Sequence, residues 1–96
     1  MFACHNIAYN YDFGKGVSQN FEKANEFYSK ACQGDYVNSC GNLAYNYHYG
    51  YGVKKNLDKA TTLYHKACDG GVQFGCEKLR FIKPVSYTHL TLPTKA

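Results

Sequence analysis

Cys40, Leu43, Ala44 and Tyr47 fall at i, i+3, i+4 and i+7, the spacing that places four side chains on one face of an α-helix. The pattern predicts a first helix, helix A, over about 37–49. Gly50 and Gly52 then interrupt it, because glycine adopts positive φ without steric penalty, and Val53 follows as a small apolar anchor. Asn56 is placed to cap a second helix by accepting a bond from an exposed backbone N–H, with Asp58 in the positive first turn. Leu57, Ala60, Tyr64 and Ala67 form the inner stripe of this helix B, over about 56–69. Lys66 lies near its negative end, and Gly70 is expected to close it in the left-handed conformation.

The same devices occur one repeat earlier, with Asn20 as cap, Phe21, Ala24, Tyr28 and Ala31 as stripe, and then Lys30 and Gly34. Cys4, Cys40 and Cys76 are spaced by 36 residues, as are Cys32 and Cys68. Laying residues 4–39 over 40–75 without a gap gives 17 identities in 36 positions. Self-similarity at this period marks stacked supersecondary units. The expected fold is therefore all-α, an α/α solenoid of antiparallel helix hairpins: residues 1–39 form a first repeat, 40–75 a second and 76–83 the start of a third. Cys76, Leu79 and Phe81 still match Cys40, Leu43 and Tyr45, but Lys83 falls where Tyr11 and Tyr47 stand, and the register is lost there.

Ninety-six residues make one small domain, with too little buried surface to be stable without extra constraints. Five cysteines in such a chain, with one Met and no Trp, point to an oxidising compartment. The net charge is +4, but eleven Lys and Arg are interspersed with seven Asp and Glu, which argues against a nucleic-acid groove or a polybasic membrane patch. No stretch approaches the roughly eighteen apolar residues of a membrane span. Met1 leads into Phe2-Ala3-Cys4 without the regions of an export signal, which is expected to lie outside this segment.

Gly-x-Gly-Val, Lys-Ala three residues past the capping Asn, and Tyr-x-Lys-Ala-Cys each occur twice in register. Together they resemble the Sel-one-like repeat, a relative of the tetratricopeptide repeat, over residues 4 to about 82. The recurring pair of cysteines separated by seven residues is similar to the bacterial cysteine-rich branch of that family. Ala8 and Ala44 depart from the pattern, since the family usually has glycine there, so the helices are expected to cross slightly farther apart. The resemblance implies right-handed stacks of helix pairs, a secreted or periplasmic home, and penicillin binding with weak β-lactamase activity in some members. A cysteine-rich eukaryotic relative of the mitochondrial intermembrane space is the alternative home.

Cys32 ends helix B of one repeat and Cys40 opens helix A of the next, a placement that brings them within bridging distance across the turn. The expected pairs are Cys32–Cys40 and Cys68–Cys76, each contributing on the order of 2–3 kcal/mol in the chain-entropy account. Buried free thiols are the alternative; a zinc site lacks close Cys or His pairs of ligand spacing. Cys4 would pair eight positions upstream of itself, before the chain begins, so it is expected to be unpaired and the N-terminus truncated. From Pro84 the chain reads PVSYTHLTLPT, which resembles the in-frame translation of a transposase adapter used in preparing sequencing libraries. Residues 84–96 are accordingly set aside as non-native, the alternative being a Thr-rich β-strand tail.

In stacked helix pairs the inner helices line a concave groove where partners bind, and helix A is the inner one by analogy with the family. Opposite its core stripe lie Asn42, Tyr45, Asn46 and Tyr49, repeated as Asn6, Tyr9, Asn10 and Phe13. Asparagine amides pair with the backbone of an extended peptide and aromatic rings supply contact area, so a protein or peptide partner is expected. The plainer alternative is that these residues match because the repeats are recent copies. Catalytic signatures such as Ser-x-x-Lys, Gly-x-Ser-x-Gly and His-Glu-x-x-His are missing from the sequence, as is a phosphate loop. His5, His48 and His65 occupy surface-like positions without a consistent carboxylate partner. No catalytic residue, cofactor or metal is expected; a β-lactam or peptidoglycan-related ligand enters only through the resemblance.

Overall fold

The structure of the chain, a computed structural model, describes residues 2–82. Five α-helices follow one another: α1 Phe2–Phe13, α2 Phe21–Gln33, α3 Val37–Tyr49, α4 Leu57–Asp69 and α5 Gln73–Phe81. There is no strand among the described residues. α1 pairs with α2 and α3 with α4, while α2 also lies against α3 and α4 against α5, so the hairpins stack in chain order. The all-α solenoid expected from the period is the observed fold. The adapter-like segment 84–96 and Lys83 lie outside the described residues.

Local chemistry sets the helix boundaries. The side-chain oxygens of Asn20 and Asn56 accept the backbone N–H groups of Lys23 and Lys59, each at 3.0 Å, so both helices B start where their caps predict. Between helices the chain turns back through Gly14 and Gly16, and again through Gly50 and Gly52, all at positive φ. Each return is tied down by a main-chain bond, Asn20 N to Tyr11 O at 2.8 Å and Asn56 N to Tyr47 O at 3.0 Å.

The far ends of helices B differ from expectation. Gly34 and Gly70 have φ of −87° and −86°, and their N–H groups still bond back to carbonyls of the last turn. The left-handed residue comes one position later, at Asp35 with φ 70° and Gly71 with φ 98°. Aspartate is among the few non-glycine residues that tolerate this region. Gly70 is required for closeness instead, since a Cβ there would lie 2.6 Å from Cγ1 of Val37 at the start of α3, the other arm of the same hairpin. Lys66 also acts across the repeat boundary: its ammonium donates to the carbonyl of Cys32 at the negative end of α2, at 3.3 Å.

The core is built from small residues at the crossings and one large ring per helix B. Ala8, Ala24 and Leu43 surround Tyr28, and Ala44, Ala60 and Ile82 surround Tyr64. Tyr47 and Leu63 pack against both clusters, so the two interiors are continuous. Disulfides Cys32–Cys40 and Cys68–Cys76 join the end of each helix B to the first turns of the next helix A, with Cα atoms 4.8 Å apart in both. They staple neighbouring hairpins together rather than the two arms of one hairpin. Cys4 is free and half-buried.

Candidate functional site

A cleft of about 460 Å³ opens between the end of α1, the middle of α3 and the start of α5. Its walls are aromatic: Phe13, Phe21, Tyr45, Tyr51 and Phe74. Phe21 and Tyr51 stack with centroids 5.1 Å apart, and Tyr45 lies 6.1 Å from Tyr51. Phe74 reaches its place only because residue 41 is glycine, where a Cβ would stand 2.8 Å from the ring. Asp12, Gln19, Asn42 and Asn46 supply the polar lining.

The polar groups form one connected chain whose donor and acceptor directions are dictated by chemistry. An ionised carboxylate only accepts, so the Tyr28 hydroxyl must donate to Asp12 Oδ2, at 2.9 Å, and Asn42 must present its NH₂ to the Tyr28 oxygen, at 3.2 Å. Asn46 also hydrogen-bonds to Asp12 and donates to Asn25 Oδ1. Asn25 in turn donates to the Tyr51 carbonyl at 2.8 Å, which fixes its own orientation. Gln19 donates to the main-chain carbonyl of Asp12 at 2.8 Å. Among the described residues no buried side-chain nitrogen or oxygen lacks a partner.

Of the residues singled out along helix A in the sequence, the structure brings Phe13, Asn42, Tyr45 and Asn46 to the cleft, with the Tyr49 ring tilted against that of Tyr45 at 4.7 Å between centroids. Asn6, Tyr9 and Asn10 are exposed on α1 and do not line it. Asn46 departs from its expected place on the open face: it is only 1% exposed, because Asp12 and Asn25 offer it partners in the interior. Asn42 is half-buried and its NH₂ group is committed to Tyr28.

Asp12 is 7% exposed, and burial pushes its carboxyl above the ordinary value of 3.8, against the pull of its bonds from Tyr28 and Asn46. Tyr28 is pushed far above the usual phenol range by burial and then by the Asp12 charge. A carboxyl raised in the folded state binds its proton more tightly there than in the unfolded chain. Its stability term therefore improves as pH falls through the folded value and levels off below the unfolded one. His5 and His48, both lowered by burial, pull the opposite way below 6.5. The measurement is thus a difference: from neutral pH toward 4, the unfolding midpoint of the native chain should rise relative to Asp12→Asn. A constant difference would show that Asp12 is not perturbed.

The comparisons with known proteins agree with this architecture. The Sel1 repeat family matches residues 2–36 and, a second time, 37–72. The chain belongs to the Sel1 repeat family. Among solved structures it is similar to a Sel1 repeat protein from Oxalobacter formigenes, with 34% identity and a TM-score of 0.81 over 83% of this chain and 33% of that one. It is also similar to Helicobacter pylori cysteine rich protein B, at 36% identity and TM-score 0.74, over 79% of this chain and 57% of that one. A third is a protective antigen of uropathogenic Escherichia coli displaying an SLR fold, at 33% identity and TM-score 0.76, over 79% of this chain and 16% of that one. This chain therefore spans less than two thirds of the length of each of these relatives. No curated protein matches it.

The two Sel1 repeats differ where the cleft acquires its chemistry. Asp12, Lys15 and Asn25 of the first correspond to His48, Tyr51 and Thr61 of the second. Asp12, Gln19, Tyr51 and Phe74 went unnoticed in the sequence and Phe21 was read as part of an inner stripe; for Asp12 and Tyr51 the mismatch with their counterparts in the other repeat was the available signal, one among many positions at which the repeats differ. In the second Sel1 repeat, His48 Nδ1 stands 3.2 Å from the Tyr64 hydroxyl where Asp12 meets Tyr28 in the first. His5 Nδ1 and Ser39 Oγ are 2.6 Å apart, but Ser39 is fully buried, so the pair holds α1 against α3 and faces no substrate. Among the described residues no cluster of His, Cys, Asp and Glu is arranged for a metal ion.

Proposed function

We propose that this chain is part of a secreted or periplasmic protein-binding scaffold that holds an extended peptide segment of a partner across the face formed by α1, α3 and α5. The observation that carries this is the cleft itself, bounded by the first helices of successive repeats and lined by aromatic rings with amides among them. Rings give contact area at little entropic cost and amides meet peptide groups. The Sel1 repeat architecture supports it, because stacked hairpins present equivalent positions at regular intervals to an elongated ligand. Two disulfides fit an oxidising compartment, and no helix among the described residues is long and apolar enough to cross a membrane.

The β-lactam and peptidoglycan-related ligands that the resemblance implies gain nothing from the geometry. Both hydroxyls that meet an imidazole among the described residues, Ser39 at His5 and Tyr64 at His48, belong to fully buried residues, and the charge in the cleft is an acid that repels a carboxylate.

Peptides selected from a random library on the oxidised chain should perturb the backbone amides of α1, α3 and α5 in chemical-shift mapping, and Tyr45→Ala should weaken them by about tenfold, the worth of one well-packed ring. Shifts confined to the outer face of α2 and α4, or affinity unchanged by Tyr45→Ala, would remove the groove from consideration.

A further inference from the structure

The cleft has a chemical polarity of its own. Its amides are turned with their NH₂ groups toward the protein: Asn42 gives one N–H to the Tyr28 hydroxyl and Gln19 one to the Asp12 carbonyl. That orientation leaves their oxygens as acceptors beside the Asp12 carboxylate. The amide oxygens of Asn42 and Gln19 accept no hydrogen bond from the described residues, and Asp12 adds a carboxylate that burial denies most of its water. Around these acceptors stand electron-rich ring faces, Phe21 stacked on Tyr51 with Tyr45 beside them. A site rich in acceptors, carrying one negative charge and walled by rings, complements a flat cation that has donors and no acceptor.

Resting on the peptide-holding reading above, we propose that this cleft is an arginine pocket: the guanidinium of the bound segment lies against Phe21, Tyr45 and Tyr51 and donates to Asp12 and to the amide oxygens of Asn42 and Gln19.

Guanidinium carries five N–H donors in a plane, pairs with carboxylates and stacks on aromatic faces, whereas an ammonium is a compact, strongly hydrated point charge. The cleft volume of about 460 Å³ accommodates the head group with its aliphatic stem. The opposing charge is Lys78, whose ammonium lies 5.4 Å from the Tyr45 centroid. Its bond to Tyr49 is solvent-exposed, so its repulsion is screened, while the buried carboxylate acts through a poorer dielectric. The Lys78 contact also shows that this ring accepts a cation.

The test uses the oxidised chain and three short, otherwise identical blocked peptides bearing arginine, lysine or citrulline, the last being the neutral isostere of arginine. Calorimetry should give the arginine peptide an affinity at least about tenfold above the other two, and Asp12→Asn should bring it down to the citrulline level. Equal binding of arginine and citrulline by the unaltered chain overturns the proposal without recourse to any variant. So does lysine binding as tightly as arginine, or a preference that survives in Asp12→Asn. If all three peptides bind alike and map to the cleft, the arginine pocket falls and the peptide-holding reading stands; if they map to the outer face of α2 and α4, both fall.

Discussion

Reducing both disulfides should cost the chain roughly 4–6 kcal/mol, enough to unfold it at physiological temperature. Each bridge closes a loop spanning a sequence separation of 8 and removes about 2–3 kcal/mol of chain entropy from the unfolded state. Such a chain has only a few kcal/mol of net stability to lose, because its core is assembled mainly from alanines and two buried tyrosines, with Leu43 and Ile82 as the bulky aliphatic members among the described residues. The bridges also hold successive hairpins together, so their loss should separate repeats before it melts individual helices. Cys32→Ala with Cys40→Ala is the cleaner version, since alanine avoids placing a hydroxyl at the fully buried position 40. Urea midpoints followed by circular dichroism, oxidised against reduced, check the prediction; coincident midpoints would show that packing alone holds the stack.

Gly52→Ala should destabilise the chain by about 2–4 kcal/mol, while the equivalent Gly16→Ala costs about 1 kcal/mol. Both glycines occupy the left-handed region, at φ 75° and 78°, so alanine is strained at either. The surroundings differ. A Cβ at Gly52 would lie 2.6 Å from the carbonyl carbon of Phe21 and 2.8 Å from the Glu22 nitrogen, backbone atoms that cannot swing aside. At Gly16 there is nothing within 4 Å. Gly52 is where the loop of one hairpin docks on the start of α2, and that contact positions Tyr51 for its stacking with Phe21 and its carbonyl for the bond from Asn25. Gly52→Ala should therefore also weaken peptide binding at the cleft. Equal losses at the two sites, read from denaturant midpoints, would show that the docking is looser than described.

Much of this protein was legible because its signals are local and occur twice. Asn20 and Asn56 act within one helical turn, and the glycine pairs act within one loop, so their roles follow from neighbours in sequence. The cysteine pairs were readable for the same reason, since only a short turn separates their members. The closing residue was misplaced by one position, at Asp35 and Gly71 rather than Gly34 and Gly70, because helix geometry and not glycine preference decided where the chain reversed.

The candidate site was only half legible. The ladder of asparagine and tyrosine along helix A includes Asn42, Tyr45 and Asn46 of the cleft, yet repetition made its members look equivalent when they are not. Asn10 is exposed, whereas Asn46, its counterpart, is buried against Asp12 and Asn25. The difference is position in the stack: the hairpin of α3 has the preceding hairpin on one side and α5 on the other, while that of α1 has a neighbour on one side only among the described residues.

The sequence by itself determined the repeat, the hairpin, the caps and the bridges, because each depends on residues no more than a few turns apart. Tertiary structure alone decided that Asp12 would be buried, that Phe21, Tyr51 and Phe74 would converge from three elements, and that one of two matching glycines would be indispensable. Those outcomes depend on which surfaces of successive hairpins meet, and a period describes each unit identically while stacking gives every unit a different set of neighbours.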